Sequence, residues 1–231
     1  MLLNWIYNTV KKIILLGNSV AAEIVAFLLS KINTVEVVAF TVSNSCLKEP
    51  EFLSKPIYPL ENLSKICSPD EYQLVNAIGY SNVNKHREHL FQYAKAMGYT
   101  FLTYVHPQAA VLTENAIGEG VLIMPNVVIE PYATIGANTV IWSNAVIAHH
   151  AMVHENCWVA AGTVISGHAS IGKNTFVGVN ATIVDNSVVA EYNIIGANVL
   201  LSKNTNPHDV ILARSGEKHR FASDDYAVHY L

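Results

Sequence analysis

The chain has 231 residues, a formal net charge of −4 and three cysteines. No Lys/Arg-rich run is present, which disfavours nucleic acid as a partner. The sparse cysteines, Cys46, Cys67 and Cys157, fit a reducing compartment, so we expect a cytoplasmic protein. The apolar start Met1–Val10 is too short to cross a bilayer and lacks a signal peptide's basic start and cleavage site. We interpret it as a local helix or turn packed on the domain, without membrane insertion.

The first part of the chain alternates short apolar runs with helix-like segments. Strands are predicted at 12–17, 35–40, 73–78 and 99–105, and helices at 20–31 and 84–97. This alternation is typical of a small parallel α/β domain of the Rossmann-like type, which we place at residues 1–104. His106-Pro107 ends it, because the residue before a proline is driven toward extended conformations.

From residue 105 onward, aliphatic residues return at every sixth position. The series has 17 members and no gap: Val105, Val111, Ile117, Ile123, Ile129, Ile135, Ile141, Ile147, Val153, Val159, Ile165, Ile171, Val177, Ile183, Val189, Ile195 and Leu201. A period of six fits neither an amphipathic helix nor a hairpin sheet. Hexapeptide periods predict a parallel β-helix, here over residues 105–206, with a C-terminal extension over 207–231.

Two other positions of each hexad follow the same period. The residue three places after the aliphatic one is mostly Asn or Gly, which tolerate a left-handed backbone at low cost. The residue four places after it is mostly small, as in Ala133, Thr139 and Cys157. We therefore predict triangular coils of three hexads, with aliphatic side chains inside and Asn or Gly at the corners. Cys157 is interpreted as a core thiol rather than a nucleophile.

The hexads, preceded by an α/β domain that leads into His106-Pro107-Gln108-Ala109, resemble the left-handed β-helix acyltransferases. The arrangement is most similar to the sialic-acid O-acetyltransferase and bacillosamine N-acetyltransferase group. The resemblance covers nearly the whole chain, and Ile141–Asn180 is its most specific stretch. It implies an acetyltransferase for a nucleotide-linked sugar of bacterial surface glycans. It further implies a homotrimer with acetyl-CoA between neighbouring β-helices and no metal.

The family's catalytic histidine lies in a short segment that reads Ala148-His149-His150-Ala151 here. The resemblance makes His149 the general base, with His150 in place of the family's acidic partner. One coil later, Gly167 corresponds to the glycine whose N–H binds the thioester carbonyl. A base that titrates near neutral pH and an oxyanion donor suffice for direct attack on a thioester, so no covalent enzyme intermediate is expected. Other histidines of the coils, among them His154 and His168, are interpreted as solvated residues or local hydrogen-bonding groups.

The resemblance also assigns contacts to the cofactor. Trp158 replaces a second family histidine that helps to bind the cofactor, and the groove is expected to continue along Val179, Asn180 and Ala197. The residues after Pro207 are expected to cover it. Trp142 is a candidate for stacking on the sugar, since an outward Trp suits such contacts.

The α/β domain offers candidate substrate contacts. Gly17, Asn18 and Ser19 follow a strand and open a helix, where a phosphate can bind. Asn82 and Asn84 follow another strand at the edge where open α/β sheets bind ligands. His86 and Arg87 come next and are either within reach of a phosphate or part of a solvated helix start. The paired aspartates that follow the second strand in the family are replaced here by residues 41–44, and the histidine of the family's opening loop is replaced by Ala21. The family's C-terminal Gly-x-Pro-Ala signature is missing from Asp209–Arg214. The family's usual substrate contacts are therefore not all present.

Three functions each match part of the sequence. N-acetylation of an amino sugar, in particular a 4-amino-4,6-dideoxy sugar, is favoured over O-acetylation of sialic acid. A metal enzyme like the γ-class carbonic anhydrases matches His149 and His154 in spacing, but its first ligand would fall on Thr113, which is not an imidazole. A non-catalytic scaffold predicts that His149→Ala changes no activity.

Overall fold

The computed structural model describes residues 10–216 and, in the tail, residues 218, 220, 222, 223 and 227. The expectations for 1–9 and for the other tail residues lie outside this range. The N-terminal part contains a five-stranded sheet in the order β3-β4-β2-β1-β5, parallel except for the short β3–β4 hairpin. Its strands are β1 Lys11–Leu16, β2 Val35–Val42, β3 Glu51–Phe52, β4 Lys55–Pro59 and β5 Tyr72–Asn76. Its helices are α1 Val20–Leu29, α2 Leu63–Ile66 and α3 Lys85–Ala96.

The predicted last strand of this part, 99–105, is divided between the two parts of the chain. Phe101 forms a single parallel bridge with Leu74 of β5. Tyr104 and Val105 instead pair with the strand Leu122–Ile123, which lies in the repeat region. The chain leaves the first sheet within three residues, because Val105, the first member of the aliphatic series, already pairs with the β-helix.

The repeat region forms three parallel sheets of two-residue strands, so each coil of 18 residues contributes one strand to each side. Sheet one contains Tyr104–Val105, Leu122–Ile123, Val140–Ile141, Trp158–Val159, Phe176–Val177, Ile194–Ile195 and Val210–Ile211. Sheet two contains Ala110–Val111, Val128–Ile129, Val146–Ile147, Val164–Ile165, Thr182–Ile183 and Leu200–Leu201. Sheet three contains Thr134–Ile135, Met152–Val153, Ser170–Ile171 and Val188–Val189. Pairing of Ile195 with Ile211 carries the β-helix beyond residue 206.

The aliphatic column forms the core of the β-helix, as predicted. Its members from Ile123 to Ile195 are buried, and the small residues beside them, including Cys157, are buried in the same cluster. The column is open at its N-terminal end, where Val105 is 40% exposed. A solenoid covers each coil with its neighbours, so the first coil has one side without cover.

The corners have the predicted left-handed backbone. Every corner residue from Gly120 to Asn198 has a positive φ, whereas Asn204 does not. Most are Asn or Gly, but four are ring-bearing residues, namely Tyr132, His150, His168 and Tyr192. Such residues adopt this conformation at a cost of roughly 1–2 kcal/mol each. The four positions therefore depart from the local preference of the repeat.

The α/β part packs on the outward face of sheet one. Outward residues of this sheet, such as Leu122, Val140 and Trp158, share a buried cluster with the helix α1 and the strands β1 and β2. A buried polar network continues the contact: the Arg87 guanidinium donates to the carbonyls of Asn76, Ile78 and Asn138. Burial lowers the pKa of Arg87 to about 9, so it remains protonated at neutral pH. The two parts are thus joined by both apolar and charged contacts.

Candidate active site

His149 lies at the corner that joins sheet two to sheet three, directly after the strand Val146–Ile147. Its side chain is exposed. Its backbone N–H donates to a carboxylate oxygen of Glu130 at 2.8 Å. Glu130 lies one coil earlier, so the stacking of coils fixes the backbone of His149 and leaves the imidazole at the surface.

Two further histidines surround this imidazole. The Nδ1 atoms of His149 and His150 are 3.3 Å apart. His150 stacks on His168 with ring centroids 4.6 Å apart and planes 15° apart, and Tyr132 lies 4.8 Å away on its other side. These three rings occupy one corner column, because 18 residues separate its successive members. Sequence reasoning treated His168 as a solvated residue, although this spacing of one coil from His150 was available to place it here.

Gly167 lies beneath the His149 ring and is buried. A Cβ at this glycine would lie 2.5 Å from Cε1 and 2.8 Å from Nε2 of His149, which is closer than atoms pack. Its φ is not in the left-handed region, so the need for glycine is one of space. Among the described residues, no carbonyl accepts a hydrogen bond from the Gly167 N–H. The site therefore combines an exposed imidazole with a backbone N–H that has no hydrogen-bond partner among the described residues.

Trp158 occupies a different place from that expected. Trp158 is only 6% exposed and packs against Tyr80 and Trp142 in the contact between sheet one and the α/β part. The Nε1 of Trp142 is buried, with no hydrogen-bond partner among the described residues. Within one chain, the Trp158 ring is covered by the N-terminal part and is not placed to contact a cofactor. Trp142 is only partly buried, with its ring centroid 5.6 Å from that of Trp158, so the stacking of a sugar on Trp142 stays a prediction.

The remaining expected cofactor residues lie along another corner. Val179, Asn180 and Ala197 are exposed where sheet one turns into sheet two. His149 lies at the opposite edge of sheet two. Within one chain, His149 therefore lies at one edge of sheet two, and Val179, Asn180 and Ala197 lie at the other edge, out of contact with it.

A cleft of about 230 Å³ opens at the carboxyl ends of β1, β2 and β5. It is lined by Gly17, Asn18, Ser19, Val42, Ser43, Cys46, Ile78, Gly79, His86 and Leu90. The predicted loop of Gly17, Asn18 and Ser19 thus borders a cleft at the sheet edge that binds ligands in open α/β folds. Gly17 has a φ of 115°, and its N–H donates to Thr41. Among the described residues of the lining, Cys46 and His86 are the ionisable ones.

The expected contacts after β5 require correction. Asn84 is fully buried and donates to the carbonyls of Asn174 and Thr175, so it joins α3 to the β-helix and has no surface for a substrate. Arg87 is fully buried as well and cannot reach a phosphate. Asn82 is exposed, but it is not part of the cleft lining. Residues 82–84 all have positive φ, a tight left-handed turn that directs Asn84 inward.

The structure also tests other sequence expectations. Thr113 donates to the carbonyl of Ala133, so the position required for the first zinc ligand of the carbonic-anhydrase type is a hydroxyl engaged elsewhere. Burial raises the pKa of the Cys157 thiol to about 12, and its Sγ donates to the Gly172 carbonyl. Cys157 is therefore a core residue, as predicted. No helix in the described ranges combines the length and the apolar character that crossing a bilayer requires.

Comparison with known proteins identifies the repeat. Residues 116–149 match the bacterial transferase hexapeptide (six repeats), and residues 168–191 match the hexapeptide repeat of succinyl-transferase. No curated protein matches the sequence. The fold of PerB from Caulobacter crescentus, solved with CoA and GDP-perosamine, is similar at 23% identity, with a TM-score of 0.76 over 87% of this chain and 93% of that one.

Two further solved structures share the fold. The acetyltransferase domain of PglB from Neisseria gonorrhoeae, solved with acetyl coenzyme A, is 19% identical, with a TM-score of 0.74 over 87% of this chain and 92% of that one. WeeI from Acinetobacter baumannii is 20% identical, with a TM-score of 0.54 over 81% of this chain and 94% of that one. The predicted fold class is thereby confirmed. The chain thus contains hexapeptide repeats, and its fold is a small parallel α/β domain followed by a left-handed parallel β-helix.

Proposed function

We propose that this protein is an acetyl-CoA-dependent N-acetyltransferase for a nucleotide-linked amino sugar. The observation that carries the proposal is the pairing of an exposed imidazole, His149, with the free N–H of Gly167 directly below it. Acyl transfer needs a base and an oxyanion donor on the same reacting centre. The similar fold of PglB, solved with acetyl coenzyme A, and of PerB, solved with CoA and GDP-perosamine, supports this choice of substrates.

His149 acts as the general base in this proposal. Its Nδ1 faces His150, and its Nε2 remains for the acceptor. For Nε2 to accept a proton, Nδ1 must carry the ring hydrogen and donate it to Nδ1 of His150. His150 then holds the tautomer of His149, a positioning role that a carboxylate plays in other dyads.

The transfer step needs no covalent enzyme intermediate. The acceptor amine attacks the thioester carbonyl while His149 takes its proton, and the carbonyl oxygen becomes an oxyanion. The Gly167 N–H donates to that oxygen. Collapse of the tetrahedral intermediate breaks the C–S bond, and CoA leaves as the thiol once it is protonated.

The cleft between Gly17 and His86 is the proposed place for the nucleotide. It lies at the carboxyl edge of the sheet and at the start of α1, where backbone N–H groups are free to bind a phosphate. The N-cap residue Ser19 makes no side-chain capping bond, so these donors are not satisfied by it. The cleft lacks a carboxylate that would repel a diphosphate.

Association of several chains, as a homotrimer, completes the site in this proposal. The α/β part covers sheet one, whereas His149 lies at the corner opposite that sheet. The outward row of sheet two is mostly aliphatic and remains accessible in the single chain, with Leu200 70% exposed; the row is Ala110, Val128, Val146, Val164, Thr182 and Leu200. An apolar sheet face of this kind favours burial against another copy. That contact would bring His149 close to Val179, Asn180 and Ala197 of a neighbour.

Release of free CoA, measured with a thiol reagent on quenched samples, tests the activity. The acceptors are a panel of nucleotide-linked amino sugars together with free sialic acid. We expect release with an amino-sugar nucleotide and at least a hundredfold loss in His149→Ala, since a positioned base contributes about 10²–10⁴-fold. His154→Ala, which changes an exposed histidine five residues away, is the matched control. Release with sialic acid only would assign O-acetylation, and no release with any acceptor would refute the proposal.

Protection of Cys46 tests the position of the nucleotide. This exposed thiol lines the cleft, so a bound nucleotide sugar should slow its alkylation. The rate is followed by mass spectrometry with and without the nucleotide sugar. An unchanged rate at a saturating concentration would place the nucleotide elsewhere.

A further inference from the structure

We propose that His149, His150 and His168 form a binding site for a divalent transition-metal ion such as Zn²⁺, and that the bound ion inhibits the enzyme. The metal site itself depends only on the arrangement of the three imidazoles. The inhibition rests on the function proposed above, because it requires His149 to be the base. The ion is not a catalytic cofactor in this proposal.

The geometry of the ring nitrogens supports a shared ion. One nitrogen of each histidine lies within 4.8 Å of the other two. The Nδ1 atoms of His149 and His150 are 3.3 Å apart, a separation that suits a hydrogen bond in the metal-free site and two ligands of one ion in the metal-bound site. Two nitrogens bound to one tetrahedral zinc at about 2.0–2.1 Å would lie about 3.3 Å apart. All three side chains are exposed, so the ring of His168 can rotate to close the remaining distance.

The corner column explains how these histidines come together. His150 and His168 occupy successive steps of one corner with φ values of 60° and 57°, where other corners have Asn or Gly. Histidine at such a position carries a conformational cost, and residues held at a cost cluster at functional sites. Tyr132 packs on the His150 ring of this stack, with ring centroids 4.8 Å apart.

The chemistry of the donors defines the class of ion. Imidazole nitrogen suits zinc, copper and nickel, whereas magnesium and calcium require oxygen ligands. Three imidazoles leave a fourth tetrahedral position for water, and the Glu130 carboxylate bonded to the His149 backbone adds negative charge nearby. We therefore expect binding of Zn²⁺ and none of Mg²⁺.

The bound ion would remove the base. With the metal on Nδ1 of His149, the neutral imidazole carries its hydrogen on Nε2. Nε2 then has no lone pair to accept the proton of the amine. Transfer should stop while acetyl-CoA can still bind, and a chelator should restore it.

Isothermal titration of the tag-free full chain with ZnCl₂, without any substrate, tests the site. We expect about one ion per chain in the wild type and a Kd at least about tenfold weaker in His168→Asn, since even outer-shell changes cost 10–100-fold. Asparagine is the residue that other corners carry, so this variant should fold. His208→Asn, another left-handed corner residue, is the matched control and should bind zinc as the wild type does. Equal affinity in His168→Asn, or no saturable binding in the wild type, would overturn the proposal.

A second measurement separates this proposal from the enzymatic one. The zinc concentration for half-inhibition of CoA release is compared between the wild type and His168→Asn, each relative to its own rate without zinc. We expect a shift of at least about tenfold to higher zinc in the variant. Zinc binding without any transferase activity would leave the metal site and refute the proposed function. Transferase activity without zinc binding would refute the metal site and leave the proposed function standing.

Discussion

The imidazole of His149 rests on Gly167 so closely that a single methyl group on this glycine would lie 2.5 Å from Cε1 of the ring. The two residues are 18 positions apart, which is one coil of the β-helix. Stacking of coils thus places an imidazole and a backbone N–H together without any loop insertion. The contact depends on the absence of a side chain and not on an unusual backbone angle.

Gly167→Ala should therefore impair catalysis with little effect on folding. The added methyl displaces the imidazole, and a misplacement of about 1 Å can cost roughly a hundredfold in rate. The turnover number is measured by CoA release, and the melting temperature is measured in parallel. Gly216→Ala, where a Cβ meets nothing within 4 Å, should leave both unchanged. A wild-type rate in Gly167→Ala would show that the ring position is not critical.

Arg87→Met should destabilise the protein. The substitution leaves the carbonyls of Asn76, Ile78 and Asn138 without their donor, and each buried unsatisfied group costs about 1–3 kcal/mol. We expect a loss of about 3 kcal/mol or more in the free energy of unfolding, measured by denaturant titration. Gln92→Ala, on the exposed side of the same helix, should change it by less than about 0.5 kcal/mol. Similar stabilities for the two variants would contradict a structural role for Arg87.

The corner conformation can be tested at Asn144. This residue is exposed and has a φ of 62°, so its left-handed backbone is the property under test. Asn144→Ala should lower the free energy of unfolding by roughly 1–2 kcal/mol. Asn144→Gly should lower it clearly less, because glycine adopts the left-handed region freely. Melting temperatures rank the stabilities of the two variants, with a shift of about 2–4 °C expected per kcal/mol. Equal melting temperatures of the two variants would argue against a left-handed corner.

The three cysteines should react very differently in the native protein. Cys46 is exposed, whereas Cys67 and Cys157 are buried. Burial raises the pKa of Cys67 and raises that of Cys157 to about 12, which disfavours the reactive thiolate at both positions. One thiol should react quickly with a colorimetric disulfide reagent, and all three after denaturation. Fast modification of two or more thiols in the native state would contradict this, and Cys46→Ser should remove the fast phase.

The features that sequence reasoning predicted are those that repeat locally. Ile147 and Cys157 are buried, and Asn144 turns a corner, because the period of six sets which way each side chain points. Position within a coil likewise brings Gly167 to His149. These relationships depend only on counting residues along a regular solenoid.

The features that sequence reasoning missed depend on how the two parts dock. Nothing in the local pattern shows that the α/β part covers sheet one, so Trp158 was expected to face the cofactor. Arg87 was expected near a phosphate, but it donates to Asn138, 51 residues away. His168 was overlooked since a histidine at a corner looks like a solvated residue until it is aligned with His150 one coil before.

The position of the N-terminal part opposite the His149 corner has a genetic consequence. If the nucleotide binds in the cleft of one subunit and His149 of another completes the transfer, a defect in either place can be supplied by a partner. Gly79→Trp, which fills the cleft, and His149→Ala would each be inactive alone. Refolding the two together should restore part of the activity, and co-expressed defective alleles should complement each other.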